Sequence, residues 1–145
     1  MPKHILLSIQ PKYVREIISG VKKFEFRKKF PDTSNNAISN RIIIYRSKPK
    51  MEIMGSFAIK RHLNSDFDSL MKKINADTAY IERISNYFPE KDSCHALEIS
   101  DLKIYENPLS LNYLRKTYKG FCAGQSYRYL DPLILADIKK KNGEI

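Results

Sequence analysis

The sequence predicts an α+β fold built on a mixed, curled sheet, and three observations carry that expectation. Alternating, β-branched segments dominate the first 61 residues, helical stretches interrupt them at irregular intervals, and no regular βαβ unit, internal repeat or Gly/Ser linker appears. A Rossmann or flavodoxin layout is therefore not expected. A chain of 145 residues with 42% hydrophobic content should bury roughly 68–70% of its unfolded surface, enough for one core without disulfides or a structural metal. One domain over residues 1–145 is the expected organisation.

The elements follow in order. His4 to Ile9 alternates, with Ile5, Leu7 and Ile9 on one face and Leu6 and Ser8 on the other, the pattern of a strand. Pro11 suits the first turn of a helix, where its missing N–H costs nothing, and Tyr13, Val14, Ile17 and Ile18 supply an apolar stripe at helical spacing. Gly20 is placed to end that helix. Lys22 to Arg27 alternates strictly, so Phe24 and Phe26 should face the core while Glu25 and Arg27 share the other face, roughly 6.5 Å apart along the strand. Pro31 to Asn40 is polar and turn-rich and reads as a mobile loop. Arg41–Arg46 and Glu52–Arg61 read as strands joined through Pro49, and Asp66–Ile74 and Thr78–Tyr87 as helices capped by Ser65 and Asp77. Cys94–Tyr105 reads as a strand with a bulge near Ala96, and Leu111–Tyr118 as a short helix. Gln125–Leu130 is a strand or extended loop, and Pro132–Lys141 a helix whose three lysines complement its negative end. Gly143 to Ile145 should fray.

Charge is unevenly placed along the chain. The net charge is +10; residues 1–61 carry 14 Lys and Arg against four acids, and residues 62–145 carry 12 of each. Such asymmetry points to a polyanionic partner, nucleic acid first, although a solvated basic surface would look the same. A membrane partner is not expected. The longest uncharged apolar run, Ile5 to Ile9, is far below the ~18–20 residues of a membrane span, and the first helix lacks a basic amphipathic face. Two cysteines, Cys94 and Cys122, form neither a disulfide framework nor a C-x-x-C site, which fits a reducing cytoplasm. No cofactor motif occurs, and His4, His62 and His95 share no metal-ligand spacing with the cysteines.

The most informative stretch, Gly20-Val21-Lys22-Lys23-Phe24-Glu25-Phe26-Arg27, reads G-x-K-x-x-E-x-R directly after a helix. It resembles the signature of the ASCH family, a PUA-like β-barrel group. The preceding LLSIQPKYVREIISG resembles the family's opening, Tyr45-Arg46-Ser47-Lys48-Pro49 its Tyr-x-Ser-x-Pro segment, Gly55-Ser56-Phe57 its next strand, and Gln125 to Leu130 its closing strand. The resemblance spans essentially the whole chain. It implies a PUA-like mixed β-barrel flanked by helices, with a basic cleft lined by the motif and suited to RNA or a nucleotide-like ligand.

The residues themselves supply the same parts. Lys22 and Arg27 suit phosphate or carbonyl contacts, Glu25 a base edge or the orientation of Arg27, and Tyr45 base stacking. Ser8, Ser47, Ser126 and Arg128 are further candidates for ligand contact. Structural alternatives stand beside each: Glu25 with Arg27 as a solvated ion pair worth under about 1 kcal/mol, Tyr45 as a core aromatic, and Tyr127 with Arg128 as mere barrel closure. Lys28 and Lys29 read as the solvated flank of the loop.

The expected function is binding of RNA or another single-stranded nucleic acid, with a regulatory role, or of a modified nucleoside. The alternative is a small hydrolase. In the amidohydrolases that the resemblance brings in, a Lys is followed three positions later by a Thr nucleophile; Lys22 matches, but Glu25 stands at the Thr position, and a carboxylate cannot take over acyl-enzyme chemistry from a hydroxyl. A metal-independent ribonuclease using Lys22, Glu25 and Arg27 is the better enzymatic alternative. A protein-interaction module is a third class.

Overall fold

A computed structural model describes residues 2–145. Its elements run β1 (Lys3–Ile9), α1 (Pro11–Ser19), β2 (Phe24–Arg27), β3 (Ile38–Arg46), β4 (Glu52–Ser65), α2 (Phe67–Lys73), α3 (Thr78–Ser85), β5 (Cys94–Ser110), α4 (Leu111–Thr117), β6 (Tyr127–Tyr129) and α5 (Pro132–Asn142). The fold is α+β, as the sequence predicts. All six strands belong to one sheet in the order β2-β5-β4-β3-β1-β6, curled into a half-barrel. β1 and β3 are parallel and every other pair is antiparallel.

Curvature comes from irregular register. The β4–β5 pairing shifts between Ile53 and Gly55, Ser56 and Ala58, and Ile59 and His62, and the β3–β4 pairing shifts at Ile44/Tyr45. Each shift bends the strand and increases its twist. Gly55 sits at one of these bends, where a Cβ would lie 2.3 Å from the Lys103 carbonyl oxygen.

Both faces of the sheet are covered. Ile5, Leu7, Ile9, Ile42, Ile44 and Phe57 pack on the concave side with Val14 and Ile17 of α1. Leu6, Ile43, Tyr45 and Ile53 pack on the other side against Leu114 of α4 and Ile134 and Ile138 of α5. Phe26 and Ala96 pack under α2 and α3 with Phe67, Leu70 and Ile84. The run Ile42-Ile43-Ile44-Tyr45 is therefore apolar at every position, because neither of its faces meets water.

The helix termini follow local chemistry. Gly20 adopts φ +83°, the left-handed conformation that ends α1. Asp77, Ser110 and Asp131 accept backbone N–H bonds at the starts of α3, α4 and α5. The cap of α2 is Asp66, accepting from the Ser69 N–H at 3.0 Å, and not Ser65, which ends β4. Other boundaries also move. β3 begins at Ile38 inside the expected loop, β5 runs on to Ser110, and β6 is limited to Tyr127–Tyr129. These extensions are polar edges that gain ladder bonds only once their partner strands are in place. No helix of the described residues is long and apolar enough to cross a membrane.

Gly55→Ala should destabilise the protein by about 1–3 kcal/mol or more, because the added methyl meets backbone that cannot move aside. Urea unfolding measures this, and an unchanged midpoint would show that the β4–β5 crossing is looser than its geometry.

Candidate functional site

The two charged residues of β2 lie on its concave face, and both are buried, Glu25 at 5% and Arg27 at 8% exposure. Arg27 Nε and Nη2 donate to Glu25 Oε2 at 2.9 and 2.6 Å. The same Nη2 donates to the Ser8 carbonyl oxygen at 2.9 Å. That last bond joins β2, at one end of the sheet, to β1, near the other, so Arg27 spans the open seam of the half-barrel. The solvated ion pair that the spacing alone allowed is not what forms.

Lys22 enters the same place from the turn after α1. Its Nζ lies 3.5 Å from Glu25 Oε1, 5.2 Å from the Tyr13 ring centroid and 5.1 Å from that of Phe26. Burial drives its amine pKa down; Glu25 and Glu16 oppose the shift and Arg83 adds to it. Ser8, Gln10, Tyr13, Arg83, Tyr87 and Gln125 complete the walls of a cleft of about 270 Å³ around Lys22, Glu25 and Arg27. At its rim Arg83 Nη2 stands 3.8 Å from Glu16 Oε1, a buried oxygen with no hydrogen bond among the described residues. Burial raises the Tyr87 phenol pKa, against the pull of the Arg27 charge.

The cleft thus offers three cations, two tyrosine rings and several amide or hydroxyl groups around a fixed carboxylate. This is a set suited to an anion bearing a planar group. Lys22, Glu25, Arg27 and Ser8 converge as the sequence reading expects, although Ser8 contributes its carbonyl, while its Oγ donates to the Gly124 carbonyl at 2.9 Å. Tyr45 does not join them. It is 5% exposed on the opposite face of β3, its ring 6.5 Å from Phe121, where burial raises its phenol pKa. Ser47, Ser126 and Arg128 also lie outside this cleft. Ser47 bonds back to Ile9, and Arg128 lines a separate groove with Leu6, Lys119 and Tyr129. The physical reason is the covered outer face: alternation places Tyr45 opposite Ile44, and α4 and α5 cover the side on which it falls.

Tyr13, Arg83 and Tyr87 were not singled out by the sequence. Tyr13 is concealed within the apolar stripe of α1, and nothing local marks Arg83 or Tyr87, some 60 residues downstream of the motif. Two of the histidines that share no metal-ligand spacing form a structural pair instead. His62 and His95, far apart in sequence, share a hydrogen bond of 2.9 Å between His62 Nε2 and His95 Nδ1, and Thr33 Oγ1 meets His62 Nδ1 at 2.8 Å. β4 and β5 pair side by side and bring them together, with Phe30 edge-on to His62 at 5.4 Å. Burial lowers both imidazole pKa values. Among the described residues no cluster of three or more His, Cys, Asp or Glu side chains could hold a metal ion.

Comparison with known proteins adds the following. A family model described as the ASCH domain matches residues 7–104. An "ASCH domain-containing ribonuclease" of Zymomonas mobilis is 26% identical over 129 residues, covering 88% of this chain and 84% of that protein. The crystal structure of ASCH from Zymomonas mobilis superposes with a TM-score of 0.73 at 23% identity, covering 96% of this chain and 92% of the other. Tyr-to-Phe and Ser-to-Ala mutants of that protein each superpose at 0.75. The N-terminal domain of Staphylothermus marinus McrB matches at a TM-score of 0.57 and 13% identity, covering 95% of this chain and 93% of that one.

Two expectations follow from the geometry. Arg27→Met removes both donors to the buried Glu25 Oε2, leaving only Lys22 beside the other oxygen, and should cost about 3–5 kcal/mol, whereas Glu25→Leu combined with Arg27→Met should cost less than the single change. Urea unfolding of the parent and the two variants checks this, and a double variant that loses as much as Arg27→Met or more would mean that the pair is not coupled. The histidine pair sets a pH dependence. Because the folded state disfavours protonation of both rings, their contribution is complete above the ordinary value of 6.5 and declines as pH falls below it. Unfolding stability should therefore fall between pH 7.5 and 5.5, and less so in His95→Gln; equal slopes in the two proteins would remove the histidines from the account.

Proposed function

Since the chain belongs to the ASCH domain family, we propose that it binds single-stranded RNA at the β1–β2 seam and cleaves it without a metal. The observation that carries this reading is the convergence of Lys22, Arg27 and Arg83 with Tyr13 and Tyr87 on one cleft around an immobilised Glu25. The cations suit backbone phosphate and the tyrosine rings suit an unstacked base, the combination by which single strands are held. The name of the Zymomonas mobilis relative, a ribonuclease, supports the choice of RNA.

The cleavage chemistry needs few groups. The ribose 2′-oxygen attacks the adjacent phosphorus, the bond from phosphorus to the 5′-oxygen breaks, and a 2′,3′-cyclic phosphate and a free 5′-hydroxyl result. Glu25 Oε1, which accepts no hydrogen bond from Arg27, takes the 2′-hydroxyl proton, while the Lys22 ammonium, 3.5 Å away, protonates the departing 5′-oxygen. Arg27, held rigid by Glu25 Oε2, faces the phosphate charge that grows in the transition state.

A second reading, RNA binding with catalysis placed elsewhere, has its own observation. The solved relative has been made with a Tyr-to-Phe and a Ser-to-Ala change, at positions numbered two higher than Tyr45 and Ser126 here. Tyr45 is registered with Ser8, whose hydroxyl holds the 123–124 segment just before Ser126. Tyr45 lies on the outer face of the sheet with Leu6 and Ile43, opposite the face that carries Glu25 and Arg27.

Fluorescence anisotropy with a labelled single-stranded RNA, with divalent ions chelated, tests the binding. Three phosphate contacts predict a loss of roughly 20-fold in affinity between 50 and 200 mM salt. Lys22→Gln should remove most binding and Lys139→Glu should leave most of it; equal losses would replace the cleft with diffuse electrostatics. The same RNA on a gel should yield cyclic-phosphate ends that disappear in Glu25→Gln. Cleavage that survives Glu25→Gln but not Tyr45→Phe or Ser126→Ala would move catalysis to the second group.

A further inference from the structure

We propose that Tyr129, Lys3 and Arg128, at the β6 edge, form a second binding position that carries a single RNA strand onward from the cleft; this rests on the RNA reading of the cleft. β6 is an edge strand of the sheet and pairs on one side, with β1. Its register sets Tyr127 opposite Leu7 and Tyr129 opposite Ile5, so both rings share the concave face with Ile5 and Leu7. That is the face on which Glu25 and Arg27 also lie. Ser8, in the cleft wall, stands three residues along β1 from Ile5, the register partner of Tyr129, about 10 Å at the rise of an extended strand. The separation suits a short oligonucleotide and is too long for one nucleotide.

The two tyrosines have different duties. Tyr127 is half-buried, with Phe30 at 5.7 Å, and closes the barrel wall. Tyr129 is 49% exposed, lies 6.0 Å from Tyr127, and makes no side-chain hydrogen bond among the described residues. Packing explains little of an exposed aromatic at this position. Its ring instead carries the Lys3 ammonium at 4.9 Å, and a cation–π contact at an exposed site is weak enough for a base to displace. The displaced ammonium then lies beside the phosphate of the stacked nucleotide. Arg128, exposed on the opposite face of the strand, lines a groove with Lys119 and Asp131, so the net charge on that side of β6 is also positive. A stacking ring between cations is what a single-stranded nucleic acid needs, and it is indifferent to sequence because every base has a π-face.

The test compares a labelled RNA dinucleotide and a labelled RNA octamer by anisotropy on the full chain. Tyr129→Ala should weaken octamer binding about 5- to 100-fold, leave dinucleotide binding unchanged, and be rescued by Tyr129→Phe, which keeps the ring. Because Tyr129 is exposed, circular dichroism of the variant should match that of the parent. Octamer affinity unaltered by Tyr129→Ala while Lys22→Gln loses it would overturn the strip and leave the cleft standing. Absence of octamer binding by the parent protein would overturn the RNA reading and the strip with it.

Discussion

A half-barrel has a seam, and in this protein the buried Arg27 side chain spans it. The sheet begins at β2 and ends at β6, and backbone pairing does not join those ends. Arg27 reaches from β2 to the Ser8 carbonyl of β1, and it can do so from a buried site because Glu25, two residues earlier on the same face, compensates its charge through two donors on one carboxylate oxygen. A buried ion pair adds little net stability compared with well-packed apolar residues, yet removing one partner is costly. Such a pair fixes a geometry more than it strengthens a fold.

The cleft inherits its order from that arrangement. Its floor is the same guanidinium and carboxylate, so the groups facing a ligand are already held before it arrives. Lys22 is kept at the site by the turn after Gly20 and by Tyr13 and Phe26, and its charge is sustained by Glu25 against the cost of burial. The walls come from elements that are separate in sequence: α1, the end of α3 with the residues just after it, and the residues before β6.

The charge asymmetry along the chain translates only partly into a surface. Several basic residues of the first 61 are matched by acids from later strands: Arg41 by Asp101 and Arg61 by Glu98, while Arg46 pairs with Glu52 nearer by. The excess of +10 therefore does not form one continuous field over the N-terminal elements. What matters for a ligand is the smaller set of cations left facing the seam and the β6 edge.

Residue pattern alone determined the class of fold, the helix bounded by Pro11 and Gly20, and the shared face of Glu25 and Arg27, because these depend on contacts within a few residues. Spacing alone left Glu25 and Arg27 as either a site or an ion pair; it was the resemblance of Gly20–Arg27 to the ASCH signature that singled out Lys22, Glu25 and Arg27. Tertiary structure decided whether that face met water or another strand, and it brought Arg83 and Tyr87 to the cleft and His62 to His95. It also sent Tyr45 into the outer core. Alternation states which residues share a face, but only the curl of the sheet and the seats of the helices decide what each face meets; strand order and packing across more than 60 residues set both.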